Sequence, residues 1–145
     1  MKDLMQDVKA LGGAPFFVLL VVISYGVGES RLASILLAGF IASLLLTASI
    51  RAVYFRQRPD KTKFRTWWEK IDASSFPSLH AMRAFFLAAL FSVEVPVVWF
   101  GVVLFGIASV VAYLRVKQKR HHVSDVIAGS VLGVILAAVL QVWLG

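Results

Sequence analysis

Five apolar stretches, parted by short polar breaks, set the organisation of this chain. Residues 14–28 are apolar and, with Leu11 to Gly13 added, just reach the length of about 20 helical residues that a bilayer core requires. Gly28-Glu29-Ser30-Arg31 is a tight polar turn, and residues 32–50 form the cleanest span. So short a turn predicts a helical hairpin for the first two spans. Gly39, Ala42, Ser43 and Ala48 in the second span predict close helix packing. Residues 51–75 are a long polar connection, in which Trp67 and Trp68 suit the membrane interface. From Phe76 a third helix is predicted, with Pro77 in its first turn. Its span, about residues 79–93, is short for a crossing, carries His80 and Arg83 near its start and breaks at Glu94-Val95-Pro96. Residues 97–114 and 126–144 complete the set. The predicted fold class is all-α: a polytopic membrane helix bundle of about five transmembrane helices, forming one domain over residues 1–145.

Ahead of the first span, residues 1–13 mix Lys2, Asp3, Asp7 and Lys9 with Leu4, Met5, Val8 and Leu11, which predicts an N-terminal interfacial helix. The order of basic start, apolar centre and small-residue cleavage site is missing, so no cleaved signal peptide is expected.

Composition narrows the chemistry. Hydrophobic residues make up 59% of the 145 and charged ones 16%, so the formal charge of +7 belongs at a bilayer surface and no nucleic-acid partner is expected. There are no cysteines and three histidines, which leaves no thiolate site and too few ligands for a zinc cluster. No metal and no cofactor are expected.

Five crossings bring the end of the second span, the start of the third, the end of the fourth and the start of the fifth to one membrane face. Arg51, Arg58, Ser78, His80, Arg115, His121 and Asp125 all fall there, whereas the other face receives Glu29, Ser30, Arg31 and Glu94. His121 and Asp125 are spaced by one helical turn. A carboxylate so placed can accept the Nδ1 proton of the imidazole and leave Nε2 free as base or nucleophile. His122 is the competing histidine, and helical spacing favours His121. A basic loop that merely contains histidines, and arginines that only snorkel at helix ends, are the plainer readings of the same residues. Arg56, Lys117, Lys119 and Arg120 read as anchors for anionic lipid. Arg83, three residues after His80, is a further candidate for phosphate binding.

Arg51 to Pro59, Pro77-Ser78-Leu79-His80 and Arg115 to Asp125 together resemble the three-part signature of the type 2 phosphatidic acid phosphatase superfamily, whose relatives include vanadium haloperoxidases. That signature runs Lys, six residues, Arg-Pro; then Pro-Ser-Gly-His; then Ser-Arg, five residues, His, three residues, Asp. Here Arg51 replaces the lysine, Leu79 the glycine and Leu114 the serine. The resemblance implies a metal-independent hydrolase acting on a lipid phosphate or diphosphate through a phosphohistidine. His121 would be the nucleophile, Asp125 its orienting group and His80 the acid for the leaving oxygen. Arg51, Arg58, Ser78 and Arg115 would hold the phosphate. The implied partners are the lipid phosphate substrate and membrane lipids. Polyprenyl diphosphate, phosphatidic acid and phosphatidylglycerophosphate all suit, and the oligomeric state is left open.

Physical chemistry is compatible with that assignment. Phosphoryl transfer is catalysed mainly by positioning and charge stabilisation, which forked arginine donors and a helix N-terminus supply. A lipid phosphotransferase with an alcohol acceptor is the alternative in the same chemistry, and a noncatalytic anionic-lipid-binding membrane protein the alternative outside it. A channel is disfavoured because charge gathers at one face. Counting Lys and Arg in short loops predicts a cell-membrane protein with its N-terminus and active site on the cytoplasmic face, since Arg31 stands alone on the other.

Overall fold

The computed structural model describes residues 13–61 and 63–144, and these fold into six helices. They are α1 (Ala14–Gly26), α2 (Ser30–Val53), α3 (Trp67–Ala73), α4 (Leu79–Glu94), α5 (Val98–Lys117) and α6 (Val123–Leu144). The interfacial helix expected over residues 1–13 falls, apart from Gly13, outside the described residues. α1 and α2 form the expected hairpin. Gly28 turns the chain between them at φ +88°, a left-handed conformation that costs glycine little.

Helix ends differ from the hydropathy boundaries in a consistent direction. α2 continues to Val53 and α5 to Lys117, so Arg51 and Arg115 ride on the last turns of their helices. α6 begins at Val123, which puts Asp125 in its first turn. Hydropathy falls where charge appears, but a helix stops only where its backbone hydrogen bonds stop. Cations in a last turn and an acid in a first turn also favour the helix dipole. Pro77 lies outside α4, immediately before the N-cap residue Ser78, rather than in its first turn.

Three helices are long and apolar enough to cross a membrane: α2, α5 and α6. α1 has 13 residues and α4 has 16, so length and apolarity alone do not carry all five expected spans. Exposed apolar side chains run along the outer faces, among them Val22 on α1, Leu45 on α2, Val102 on α5 and Val131 on α6. An outer surface of this kind suits lipid contact.

α4 is the inner helix. Phe86, Leu87 and Leu90 pack with Phe17, Ile35, Leu36 and Ala137 from α1, α2 and α6. Ala84 and Ala88 pack against Ala108 and Val111 of α5. Two glycines of α6 allow its close approach to α4. A Cβ on Gly129 would stand 2.4 Å from the Ser78 carbonyl oxygen, and one on Gly133 2.1 Å from that of Met82. Gly39 of α2 similarly makes room for the Phe86 ring.

Gly133→Val should therefore force backbone from backbone and destabilise the protein by more than the about 1–3 kcal/mol typical of overpacking. Gly106→Ala, with nothing within 4 Å of the new Cβ, should be neutral or slightly stabilising. Thermal unfolding of both proteins in detergent checks the pair, and equal midpoints would count against the close α4–α6 contact.

Candidate active site

The site is stitched from three backbone segments. Residues 56–57 and 74–75 pair side by side: Gln57 and Ser74 form an isolated antiparallel bridge, and the Ser75 N–H donates to the Arg56 carbonyl at 2.8 Å. The Arg56 N–H in turn donates to Ser74 Oγ at 3.2 Å. Short helix α3 spans the gap between them, started by a reciprocal capping box between Thr66 and Glu69. The third segment joins where the Ser78 N–H donates to the Asp125 carbonyl at 3.0 Å. Residues 74, 75 and 78 are fully buried, so the seam is a rigid floor.

On that floor His121 is 3% exposed, and its Nδ1 lies 2.7 Å from the Ser75 carbonyl oxygen. A carbonyl only accepts, so this contact fixes the proton on Nδ1 and leaves the Nε2 lone pair free. Burial lowers the imidazole to about 4, with the charges of Arg115, Arg51 and Arg58 acting in the same direction and the Ser75 bond opposing them. The ring is accordingly neutral at pH 7.

Asp125 has other partners. One carboxylate oxygen accepts from Arg56 Nη1 at 2.7 Å; the other accepts from the His122 backbone N–H at 2.7 Å and lies 3.1 Å from His122 Nδ1. The expected Asp125–His121 contact is replaced by the Ser75 carbonyl, because Asp125 turns back to cap α6. Its bond to the His122 N–H is the half of a capping box that an acid in the first turn makes. Arg56, which also donates to Ser124 Oγ at 2.7 Å, then neutralises a carboxylate with no exposed surface. Sequence reasoning assigned Arg56 to lipid anchoring. The available signal was the carboxylate itself, since a buried charge requires a partner. Nothing in the sequence marks the Ser75 carbonyl, because any residue supplies one.

The phosphate-binding candidates converge on the same face. Arg51, 8% exposed, donates through Nη2 to the Pro77 carbonyl at 3.0 Å and through Nη1 to that of Ile71 at 3.4 Å. Arg58 donates to the Asp72 carbonyl, and burial lowers its pKa. Arg115 reaches Gln118 Oε1 at 3.5 Å. The Nε atoms of Arg51, Arg58 and Arg115 are buried without a protein partner, and so is Ser78 Oγ. Ser78 stands at the N-cap of α4 yet makes no side-chain capping bond, so its hydroxyl is uncommitted. Leu79 begins α4 without a positive φ, so the turn does not require the glycine of the signature. His80 follows one residue further along, in the first turn of α4. Buried N–H and O–H donors without protein partners are thus gathered at the same face as one unprotonated imidazole nitrogen, which suits a tetrahedral oxyanion.

Arg56→Ala should leave Asp125 buried without its cation. Because Arg56 is partly exposed, the loss should sit at or below the about 3–5 kcal/mol of a fully buried broken pair. Lys117→Ala should change stability by less than about 0.5 kcal/mol. Denaturation of the two proteins in detergent compares them directly, and equal small losses would mean the Arg56–Asp125 pair contributes little.

Residues 30–145 match the family profile described as the PAP2 superfamily. The lipid A 1-phosphatase of Porphyromonas gingivalis is 36% identical over 93 residues, which is 61% of this chain and 18% of that protein. The chain thus spans less than a fifth of that curated relative's length. Among solved structures, a transmembrane PAP2-type phosphatidylglycerolphosphate phosphatase from Bacillus subtilis superposes with a TM-score of 0.78 at 24% identity, covering 97% of this chain and 75% of that one. LpxE of Aquifex aeolicus gives a TM-score of 0.78 at 19% identity, covering 95% and 83% respectively. These two likenesses show a shared fold. With three helices long and apolar enough to span, the chain is an integral membrane protein. The profile match over residues 30–145 settles its kinship: the chain belongs to the PAP2 superfamily.

Proposed function

We propose that this protein is a metal-independent lipid phosphatase that works through a phosphohistidine on His121. The observation that carries the reading is the bare Nε2 of His121, fixed by the Ser75 carbonyl and faced by the charges of Arg51, Arg58 and Arg115. The substrate is a phosphate or diphosphate on a lipid, its tail in the bilayer and its head group on the basic face. The three arginines and Ser78 bind the nonbridging oxygens and disperse the charge that builds up there. His121 Nε2 attacks phosphorus, the bond to the leaving oxygen breaks, and His80, whose protonated form the bound phosphate's negative charge favours, donates a proton to that oxygen. Water then attacks the phosphohistidine, giving up a proton to His80; the P–N bond breaks and orthophosphate leaves. Asp125 serves this site at one remove, by holding Arg56 and the start of α6.

Phosphate release from a panel of lipid phosphates and diphosphates in detergent tests the reading. Wild type should be active with or without EDTA, and His121→Ala should lose turnover by about 10³-fold or more while still binding vanadate. Activity that requires added magnesium, or a His121→Ala protein near wild type, sinks the mechanism. The His121 ring followed by NMR should titrate well below the ordinary imidazole value of about 6.5, because its surroundings oppose the added proton. A midpoint at or above that value would remove the case for a neutral, buried nucleophile.

The same proposal has five crossings, with α1 and α4 as the two short ones, in the cell membrane. Basic residues beyond the catalytic set, including Arg56, Lys61, Lys63, Arg65, Lys70, Lys117, Lys119 and Arg120, support a cytoplasmic active site, against Arg31 on the other face. In this cysteine-free chain, Lys63→Cys should resist a membrane-impermeant maleimide in intact cells and Ser30→Cys should react. The opposite result reverses the topology.

A further inference from the structure

Arg83 is a buried cation that the mechanism above does not use. It is 3% exposed, and its Nε donates to Ser43 Oγ of α2 at 3.2 Å. Its guanidinium carbon lies 4.4 Å from the Phe40 ring centre and 5.8 Å from that of Phe17. Nη2 is buried with no protein partner, and no carboxylate among the described residues pairs with the side chain. Two aromatic faces and one hydroxyl offset part of the cost of desolvating a guanidinium, but they supply no negative charge. An ionised group held inside a membrane bundle in this way ordinarily marks a binding site.

Its place on α4 indicates which anion fits. Arg83 follows His80 by three residues, so the two share a helix face and Arg83 lies about 4.5 Å further along the axis. α4 runs from the catalytic face into the membrane, which puts Arg83 deeper in the bundle than His80. In a lipid diphosphate the terminal phosphoryl group is attacked and the other, joined to the lipid, departs with the bridging oxygen. The departing phosphoryl group is therefore the one on the membrane side.

Resting on the phosphatase reading, we infer that Arg83 binds the lipid-side phosphoryl group of a diphosphate ester, and that the protein is built for lipid diphosphates over monophosphates. His121 Nε2 bonds to the terminal phosphorus and the bond from that phosphorus to the bridging oxygen breaks. The electron pair goes to the bridging oxygen, which receives a proton from His80 once the bound diphosphate's charge has favoured the imidazolium, and a lipid monophosphate departs. Arg83 meets the charge on that departing group. Hydrolysis of the phosphohistidine by water then releases orthophosphate and restores both histidines.

The test uses the full chain in detergent, with a prenyl diphosphate and the prenyl monophosphate of the same chain length. Wild type should favour the diphosphate in kcat/KM by about tenfold or more, the scale of a lost charge-assisted contact. Arg83→Gln should remove that preference while changing the monophosphate rate by less than about threefold. Arg83→Lys should restore part of it, since charge is kept and the fork is lost. A wild type without the preference, or a uniform loss on both substrates in Arg83→Gln, overturns the inference. If Arg83→Gln does not fold, Ser43→Ala removes the hydroxyl that anchors Nε and keeps the charge. It should lower the diphosphate-to-monophosphate ratio, and an unchanged ratio counts against the site. Protection against thermal unfolding by methylenebisphosphonate and by orthophosphate separates this inference from the hydrolase reading. A bisphosphonate preference that depends on Arg83, in a wild type inactive on every lipid, would end the phosphatase reading and keep the anion site. An absence of that preference would end the site.

Discussion

The close approach of α6 to α4 is the constraint on which the rest depends. Gly129 and Gly133 bring the backbone of α6 against Ser78 and Met82, where a single methyl group would clash. Within a membrane no hydrophobic force drives helices together, so such contact rests on packing and on the lack of side chains in the way. The approach fixes where Asp125 stands relative to Ser78, and the bond from the Ser78 N–H to the Asp125 carbonyl follows from it. That bond aligns the start of α4, which carries Ser78 and His80, with the start of α6 and with His121 just before it. A packing feature near the middle of the bundle thus sets the spacing of polar groups at its edge.

What was legible in the sequence divides along the same line. The five longer helices follow the apolar runs in order, because a lipid-facing helix leaves a nearly continuous hydrophobic record, whereas α3 lies in the polar connection and no apolar run marks it. The polar ends were less legible. Arg51, Arg115 and Asp125 are all helical, although hydropathy placed them outside their spans. The motif spacing brought the right segments together, yet it did not say which polar atoms would meet. Asp125 lies one turn from His121 in sequence but turns to Arg56 and the His122 N–H, because the first turn of α6 offers an unpaired backbone donor nearer than the ring. The Ser75 carbonyl could not be read at all, since it belongs to the backbone and is aimed by pairing between residues 56–57 and 74–75. Gly129 and Gly133 were visible as a small-residue pair at helical spacing, a signal as open to reading as Gly39 and Ser43 in α2.

The site is also costly to fold. Arg51, Arg58 and Arg115 share a small, partly dehydrated volume, and each keeps one buried Nε without a protein acceptor. Carbonyl oxygens of Ile71, Pro77 and Asp72 hold the guanidinium groups in place, but carbonyls bring only partial charge. A carboxylate bonded directly to Arg51 would stabilise the empty protein and compete with an anion; Asp72 and Asp125 act on Arg51 only through space. In the proposed phosphatase, guanidinium N–H groups left without a protein acceptor would be ready for an oxyanion, an exchange of stability for preorganisation.

The placement of Asp125 belongs to that same economy. Had its carboxylate accepted from His121, the ring would gain a negative neighbour that favours its protonated form. The Ser75 carbonyl orients the ring just as firmly at 2.7 Å while adding no net charge. Burial and the nearby arginine charges then keep Nε2 unprotonated. Arg56 pairs with Asp125 at 2.7 Å, so the acid caps α6 with its charge met directly by a cation, and it acts on Arg51 only through space. In the proposed phosphatase, a neutral orienting group would suit a nucleophile that must meet an anion. A charged one suits a base that must take a proton and hold it.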